Sequence, residues 1–496
     1  MNRARQKGIA LILTLILLFV LSVMAVSLMF ISQTETWSSL NYRLTSQVRD
    51  GAEAGINSAA SFIVNPNTYT EPGGAGDPTT AYGTAVSPVT YGGNPVTLSA
   101  MSSQPSYYPV SSVQTAFNTS GAGKGSITAG NTTINYNTYA TLLSMPQTFK
   151  PFGSTSNTTV QTWKIVSEGS ISTVRNAKVQ VSAILEQHRT PTFNYAAFAT
   201  SAGCGALNFG GGGHTNSYDS TAALVGGLPA SSNSFGNVGT NGNLTTGGSG
   251  TTINGTLSTP NTGVGTCSAG NVDAWSGSTG TVTGGLVKLP QTVVYPVPTI
   301  PPAGTVDITS NSSCPSVALM VTAGGTCTAG SIMTLAPAIA NGTMSLHTLS
   351  LTGNVDLHLA AGTYNIDSLT ETGQTALVLD SVPVTLNVTG SGGGTVVKLT
   401  GGGLTNTTGN FDPTTFQIFY AGTGTVSLMG GAQAVGLVYA PNASYSFTGG
   451  ANWYGAVIGA QMTDMGGAAI HYDRRLQNED FTVGPWMLDS FTWKKY

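Results

Sequence analysis

The sequence has few charged residues: Asp, Glu, Lys and Arg make up 7% of its 496 residues, and the formal net charge is -3. A protein that binds nucleic acid through its phosphates needs concentrated positive charge, and this balance provides none across the chain as a whole. We therefore expect no nucleic-acid partner. With 40% hydrophobic residues the chain can bury a core, and its 65 glycines favour short strands joined by many turns.

The sequence also lacks the short motifs that mark common catalytic and metal sites. It contains no G-x-S-x-G, no H-E-x-x-H and no C-x-x-C. Asp356, Asp367 and Asp380 are spaced too irregularly to stack as paired carboxylates on a repeated strand. We therefore expect neither an enzyme nor a bound cofactor or metal.

One long apolar run lies near the N-terminus. Ile9 to Ile31 contains no charged residue, and as a helix it would be about 35 Å long, enough to cross the hydrocarbon core of a bilayer. The basic residues Arg3, Arg5 and Lys7 precede it, and such residues stay on the cytoplasmic side. The run predicts one membrane-spanning helix with the C-terminal remainder of the chain outside.

The helix is predicted to continue well beyond the membrane. No proline occurs between Ile9 and Asn65, and Pro66 then provides a stop. We therefore expect one helix over residues 9–65. Gly51 and Gly55 within it either allow another backbone to approach closely or are merely tolerated.

Two segments of this region carry a family resemblance. Lys7-Gly8-Ile9-Ala10-Leu11-Ile12-Leu13 and Gly51-Ala52-Glu53-Ala54-Gly55 are similar to the N-terminal region of PilX-type minor pilins, over about the first 65 residues. The resemblance implies that residues 1–8 are a prepilin leader, which a membrane peptidase removes between Gly8 and Ile9. A simple signal anchor is the alternative. Leu13 stands where bulk pilins of the family carry Glu, which argues against a bulk filament subunit.

The resemblance implies a minor pilin of a type IV pilus that acts in pilus assembly and adhesion. Its location would be the bacterial inner membrane and then the pilus at the cell surface. The implied partners are the prepilin peptidase, other pilins of the filament, the inner membrane, and a host or surface glycan or protein. One alternative is a minor pseudopilin of a type II secretion system. Another is a membrane-tethered β-helix enzyme that acts on polysaccharide.

The remainder of the chain is predicted to be mainly β, so that the whole belongs to the α+β class. Residues 66–190 indicate irregular loops with a few strands and one antiparallel hairpin, formed by the alternating segments Thr162–Glu168 and Ala177–Ile184. The hairpin is expected to turn at Gly169 or near Arg175-Asn176.

Glycine pairs repeat towards the C-terminal end. Gly430-Gly431, Gly449-Gly450 and Gly466-Gly467 recur at spacings of 19 and 17 residues, a period typical of stacked coils. We predict a right-handed parallel β-solenoid over residues 191–476, in two portions linked near residues 290–303, where prolines cluster. A β-sandwich is the alternative. We expect the aromatic tail, residues 477–496, to cap the open end of the solenoid.

The four cysteines are Cys204, Cys267, Cys314 and Cys327. All lie on the exported side of the predicted membrane span, where disulfides persist, and three pairings are possible. Sequence proximity favours Cys314 with Cys327, which leaves Cys204 with Cys267. Four buried thiols are the alternative.

Aromatic residues are concentrated in the last predicted coils, and they are Tyr439, Tyr445, Phe447, Trp453 and Tyr454. Such side chains stack on sugars or fill a partner's pockets when exposed, and stack in the core when buried. Trp453 and Tyr454 are expected to point to opposite faces of a strand, so at least one should be exposed. We predict Tyr439, Tyr445, Trp453 and Tyr454 as contacts to a partner or glycan, by binding rather than catalysis.

Overall fold

The computed structural model describes residues 3–65, 81–130, 132–145, 151–152, 158–171, 177–277, 280–309, 313–399, 403–429, 434–450, 452–479, 481–484 and 486–495. The chain forms two compact units. The first, called the head, comprises Met1–Thr148, Thr159–His188 and Trp486–Tyr496. The second, called the insert, comprises Phe149–Thr158 and Arg189–Pro485.

The head begins with a long helix and continues as an antiparallel sheet, which confirms the predicted α+β class. Before the insert, its elements are α1 (Arg3–Val64), β1 (Tyr82–Gly83), β2 (Thr90–Tyr91), β3 (Asn94–Pro95), β4 (Thr97–Ser99), α2 (Ser111–Thr119), β5 (Lys124–Ala129), β6 (Thr132–Ser144), β7 (Thr162–Ile171) and β8 (Ala177–Glu186).

Helix α1 ends at Val64, one residue before the predicted end, and begins at Arg3, six residues before the predicted start. Pro66, the predicted stop, lies outside the described residues. Past the apolar run, α1 buries a stripe of side chains at helical spacing against the head's core: Val48, Ala52, Ile56, Ala59 and Ile63. The outer half of the helix is therefore held by packing.

The head contains the predicted hairpin, in which Thr162 of β7 lies opposite Glu186 of β8. Gly169 lies inside β7, whereas residues 172–176, including the other predicted turn, lie outside the described residues. Strand β6 pairs with β7, and β4 and β5 both pair with β6. The described part of residues 66–190 is thus more regular than predicted. Strand β6 was missed because Asn135 and Asn137, which favour turns, stand between its buried residues Ile134, Tyr136 and Thr138.

The insert consists mainly of short strands. Its elements up to the proline-rich linker are β9 (Arg189–Pro191), β10 (Ala197–Ala199), β11 (Leu207–Phe209), β12 (His214–Tyr218), β13 (Val238–Thr240), β14 (Leu244–Thr246), β15 (Thr252–Ile253), β16 (Leu257–Thr259), β17 (Val264–Gly265), β18 (Trp275–Ser276), β19 (Thr281–Val282) and β20 (Leu286–Lys288).

After the linker, the elements are α3 (Val317–Thr322), β21 (Gly325–Ala329), β22 (Ile332–Pro337), β23 (Thr343–Ser345), β24 (Thr348–Gly353), β25 (Asp356–Leu359), β26 (Gly362–Ile366), β27 (Ser368–Gly373), β28 (Ala376–Leu379), β29 (Val384–Val388), β30 (Thr395–Leu399), β31 (Gly403–Asn406), β32 (Phe416–Tyr420), β33 (Thr425–Met429), β34 (Ala434–Thr448), β35 (Asn452–Met465), β36 (Ala469–Asp473) and β37 (Phe481–Val483).

Most of these strands pair in parallel with a strand one repeat further along the chain. One ladder runs through β23, β26, β29, β32 and the first half of β34. A second runs through β24, β27, β30, β33 and the second half of β34. Inward side chains of both ladders fill one apolar core. Repeated parallel pairing is what the solenoid prediction requires, and the right-handed solenoid itself stays a prediction.

The two predicted portions of the insert share one sheet. Strands β10 and β11 pair on one side with β35, near the end of the second portion, and on the other with β13 and β14. The first portion thus pairs with the last strands of the second portion, against the order of the chain. The linker, residues 290–303, returns across this junction, where Tyr295 packs on Phe198 at 5.0 Å between ring centroids.

The last strand of the chain, β38 (Met487–Lys495), belongs to the head and pairs antiparallel with β8. The prediction that residues 477–496 cap a solenoid is therefore wrong. Trp486 and Leu488 pack against the head's core, while Phe491 and Trp493 are exposed. The physical reason is that β8 offers a full strand edge, where backbone pairing and apolar burial are gained together.

Candidate functional site

The apolar run of α1, from Ile9 to Ile31, is uncovered. Between Ile9 and Ile31 the large apolar side chains are 48% to 68% exposed. By length and composition this segment is able to cross a membrane. Apolar surface of this extent is not left in water by soluble proteins, so lipid or another protein must cover it.

Two of the three hydroxyl side chains within this run bond to the helix's own backbone. The hydroxyl of Thr14 donates to the carbonyl oxygen of Leu11 at 2.9 Å, and that of Ser22 donates to Phe19 at 2.8 Å. Because lipid offers no hydrogen-bond partner, such bonds to the backbone remove most of the cost of burying a hydroxyl. The segment is thus suited to a continuous apolar environment.

The two predicted cleavage residues, Gly8 and Ile9, lie within the first turns of α1. Ile9 is exposed. Cleavage between them stays a prediction.

The outer half of α1 approaches the sheet so closely that its glycines are required. A Cβ at Gly55 would overlap the hydroxyl of Ser167 and lie 2.7 Å from that of Thr138, and a Cβ at Gly51 would overlap Ile134. The close approach at these two glycines is to side chains of the sheet, and not to another backbone as predicted. The partner is the head's own sheet.

The insert contains two disulfides. Cys204 is bonded to Cys267 and Cys314 to Cys327, with Cα atoms 5.6 Å and 5.7 Å apart. These are the pairs that sequence proximity favours. The first ties the loop after β10 to the loop before β18, and the second ties the segment before α3 to β21.

The aromatic residues predicted to contact a partner are buried. Tyr439, Tyr445, Trp453 and Tyr454 are 1% to 5% exposed, so they offer almost no surface for a sugar or protein. The prediction that they form the contact site is wrong.

The physical reason is that both faces of β35 are covered. Trp453 points into the main core, with its ring centroid 5.8 Å from that of Phe447. Tyr454 points to the opposite face, as expected, but there a second small core of Phe411 and Tyr218 covers it, at 4.9 Å and 5.3 Å. Alternation along a strand predicts the face correctly but cannot predict a second covering layer.

Outward positions of the second ladder carry short polar side chains instead. One column continues across the junction of the two portions and consists of half-buried residues, nearly all with a hydroxyl or amide: Ser350, Thr370, Lys398, Ser427, Ser446, Thr463, Asn208, Thr245 and Ser276. This column carries one charged side chain, that of Lys398, and many hydrogen-bonding groups.

Two inward-facing acids of the same ladder were missed by the sequence analysis. Burial raises the pKa of Glu371 to about 8, with a smaller contribution from the charge of Asp356, and burial alone raises the pKa of Asp464 to about 8. Glu371 pairs in register with Leu351, whereas Asp464 lies between Phe447 and Phe209 on adjacent strands. They therefore do not form a carboxylate pair. The alternation of inward and outward side chains along their strands is the sequence signal that could have placed both acids on the inward face.

Two histidine–aspartate pairs tie segments of the insert together. The Nδ1 atom of His347 lies 2.8 Å from an Asp307 oxygen, and that of His358 lies 2.6 Å from an Asp380 oxygen. A hydrolytic triad needs a nucleophile bonded to the other ring nitrogen, and the described residues show none there. The described residues also contain no group of three or more potential metal ligands. These pairs support a structural role.

Comparison with known proteins finds similarity in two parts of the chain. Residues 7–57 match the family model of the PilX N-terminal region, and residues 323–479 match a domain of unknown function, DUF7305. The second match covers the insert from the end of α3 to just beyond β36, and leaves out the first portion with its Cys204–Cys267 disulfide.

Among solved structures, the match to the crystal structure of the competence-associated pilin ComZ from Thermus thermophilus is 14% identical in sequence, and covers 75% of this chain and 88% of that one. Its TM-score of 0.28 is too low to support any conclusion about a shared fold. No curated protein matches the chain.

Proposed function

We propose that the chain is a minor pilin of a type IV pilus. The observation that carries this proposal is α1: one continuous helix, uncharged and uncovered from Ile9 to Ile31, whose outer half is packed into a globular head. The PilX-type match over residues 7–57 supports it. A helix of this kind passes from lipid to a protein environment without any change of conformation, because both surroundings cover the same apolar surface.

In this proposal the prepilin peptidase removes residues 1–8, and the mature chain is held in the bacterial inner membrane by a single span with its C-terminal end outside. The apolar half of α1 then packs among the helices of other pilins. Leu13 lacks the charge that bulk subunits carry at this position, which supports a subunit present in few copies.

The insert is proposed to be a right-handed β-solenoid that recognises a host or surface glycan or protein. Its repeated parallel ladders support the solenoid, and the outward hydroxyl and amide column supports recognition of a neutral, polar partner. We propose binding rather than catalysis, because Glu371 and Asp464 are buried apart from one another, and the described pairs of His347 with Asp307 and His358 with Asp380 show no nucleophile at the other ring nitrogen.

The test of pilus membership is fractionation. Filaments sheared from cells should contain the protein, and cells with Gly8→Trp should retain it, uncut, in the membrane. A matched change within the leader, Gln6→Ala, should leave both steps intact. A secretion pseudopilin would be indicated instead by two results together: the cut protein is recovered only in membranes, and cells that lack the protein no longer secrete other proteins.

The test of the insert's role is its removal. Glu186 and Met487 are paired in register, so an Asn-Gly turn between Gln187 and Trp486 can replace the insert. We expect normal membrane insertion and leader removal but loss of cell attachment. Normal attachment without the insert, or turnover of a glycan by the full chain, would contradict the binding role.

A further inference from the structure

The last strand of the chain completes a sheet begun some 300 residues earlier. In the head, β38 pairs with β8 from Met487 opposite Glu186 to Lys495 opposite Val179, with one shift of register between Asp489 and Thr492. The hydroxyls of Ser182 and Thr492 lie 2.6 Å apart across this pair. The pairing is therefore specific in register.

The strand also covers apolar surface. Trp486 and Leu488 pack against the same core that holds Val181 and Leu185 of β8. Without β38, β8 would be the edge of the sheet, with every second backbone N–H and C=O group unpaired.

The insert lies between these two partners in the chain. Its first and last strands, β9 and β37, pair antiparallel, with Arg189 opposite Val483 and Pro191 opposite Phe481. Only two residues separate β8 from β9, and three separate β37 from β38. When β9 and β37 pair, which closes the insert, these short connections place β38 alongside β8 in register.

We propose that β38 makes completion of the head conditional on closure of the insert. The head's sheet is then finished only in a chain that has been made through β38 and whose insert has folded. A chain that stops within the insert leaves the edge of β8 open. This device follows from the order of the strands, and it holds whether or not the chain joins a pilus.

The test compares two neighbouring substitutions at the start of the insert. Phe193 is buried two residues after β9, and its carbonyl oxygen accepts a hydrogen bond from the Tyr472 hydroxyl at 2.6 Å, whereas Asn194 is half-exposed. Phe193→Ala should loosen the insert near β9, and Asn194→Ala should not. The measurement is amide hydrogen exchange of the full chain at single-residue resolution.

We expect Phe193→Ala to raise exchange about tenfold or more in β37, in β38 and in every second amide of β8, the set that faces β38. The amides of β8 that face β7 should keep their protection, and Asn194→Ala should match the unaltered chain. Exchange that rises in the insert and β37 while β38 and β8 stay protected would overturn the proposal.

A second variant removes the strand itself. A chain that ends at Gly484 should show the same alternating loss of protection in β8 while β6 and β7 remain protected. Full protection of β8 in that chain would show that the head is complete without β38, and would also overturn the proposal.

Discussion

Gly169 of β7 lies directly against Val48 of α1. A Cβ at Gly169 would overlap the carbonyl oxygen of Val48 and lie 3.0 Å from the backbone nitrogen of Ala52. Backbone meets backbone here, and Gly55 provides the matching approach from the helix side, against Ser167. Two glycines therefore permit the close packing of α1 on the sheet. Gly169 of β7 lies against α1, and Gly55 of α1 lies against β7.

Gly169→Ala should therefore destabilise the head. No flexible side chain can move aside, so the helix and strand must separate, and overpacking of this kind costs about 1–3 kcal/mol. The neighbouring change Ser170→Ala, at a half-buried position, is the control. Chemical denaturation followed by the fluorescence of buried Trp163 measures the effect. Equal stability of the two variants would contradict the close approach.

The mature chain should begin at Ile9. The basic leader ends in Gly8, directly before the uncharged run, and the peptidase implied by the resemblance cuts at such a junction. Mass spectrometry of protein extracted from membranes should find Ile9 first and no peptide from residues 1–8. An intact Met1 terminus, or a terminus beyond Ile31, would defeat the pilin interpretation.

Local patterns predicted the helix and the hairpin because both depend on neighbours in sequence. The absence of proline between Ile9 and Asn65 predicted the length of α1, Pro66 predicted its end to within one residue, and alternation predicted β7 and β8. The position of β38 depends instead on a strand 300 residues away, and no local pattern carries that information. Burial of Tyr454 likewise depends on Phe411 and Tyr218, which are distant in sequence.

The Cys314–Cys327 disulfide should stabilise the insert. A sequence separation of 13 residues corresponds to a loop-entropy contribution of about 3 kcal/mol. Replacing both cysteines by serine should lower the free energy of unfolding of the insert by about that amount, while the Cys204–Cys267 bond remains in non-reducing peptide maps. Four alkylatable thiols in the unaltered exported protein would refute both pairs.

The stability of the insert should fall as pH rises because of Asp464. Burial between two phenylalanines favours its neutral form and raises its pKa to about 8, above the 3.8 of an exposed aspartate. The stabilisation of the folded insert by the neutral Asp464 carboxyl group is complete below about pH 4. It is lost progressively between about pH 4 and about pH 8, by no more than about 1.4 kcal/mol per pH unit.

Asp464→Asn should remove this part of the pH dependence and leave a flatter stability profile from pH 5 to 8, measured by denaturant unfolding at each pH. Asp50→Asn, at an exposed position on α1, is the control. A slope unchanged by Asp464→Asn would show that this carboxyl group is not protonated in the folded insert.

Trp453→Ala should act on stability and not directly on recognition. Its side chain is 1% exposed and packs on Phe447 in the main core of the insert, so truncation should cost about 3–5 kcal/mol. Gln461→Ala, at an exposed position of the same strand, is the matched control. Cell attachment by the Trp453 variant should be reduced only as far as the folded fraction of the insert is reduced, and should recover at lower temperature. A variant that remains fully folded by hydrogen exchange yet fails to attach would restore Trp453 as a contact residue, and would require the last coils to open when the partner binds.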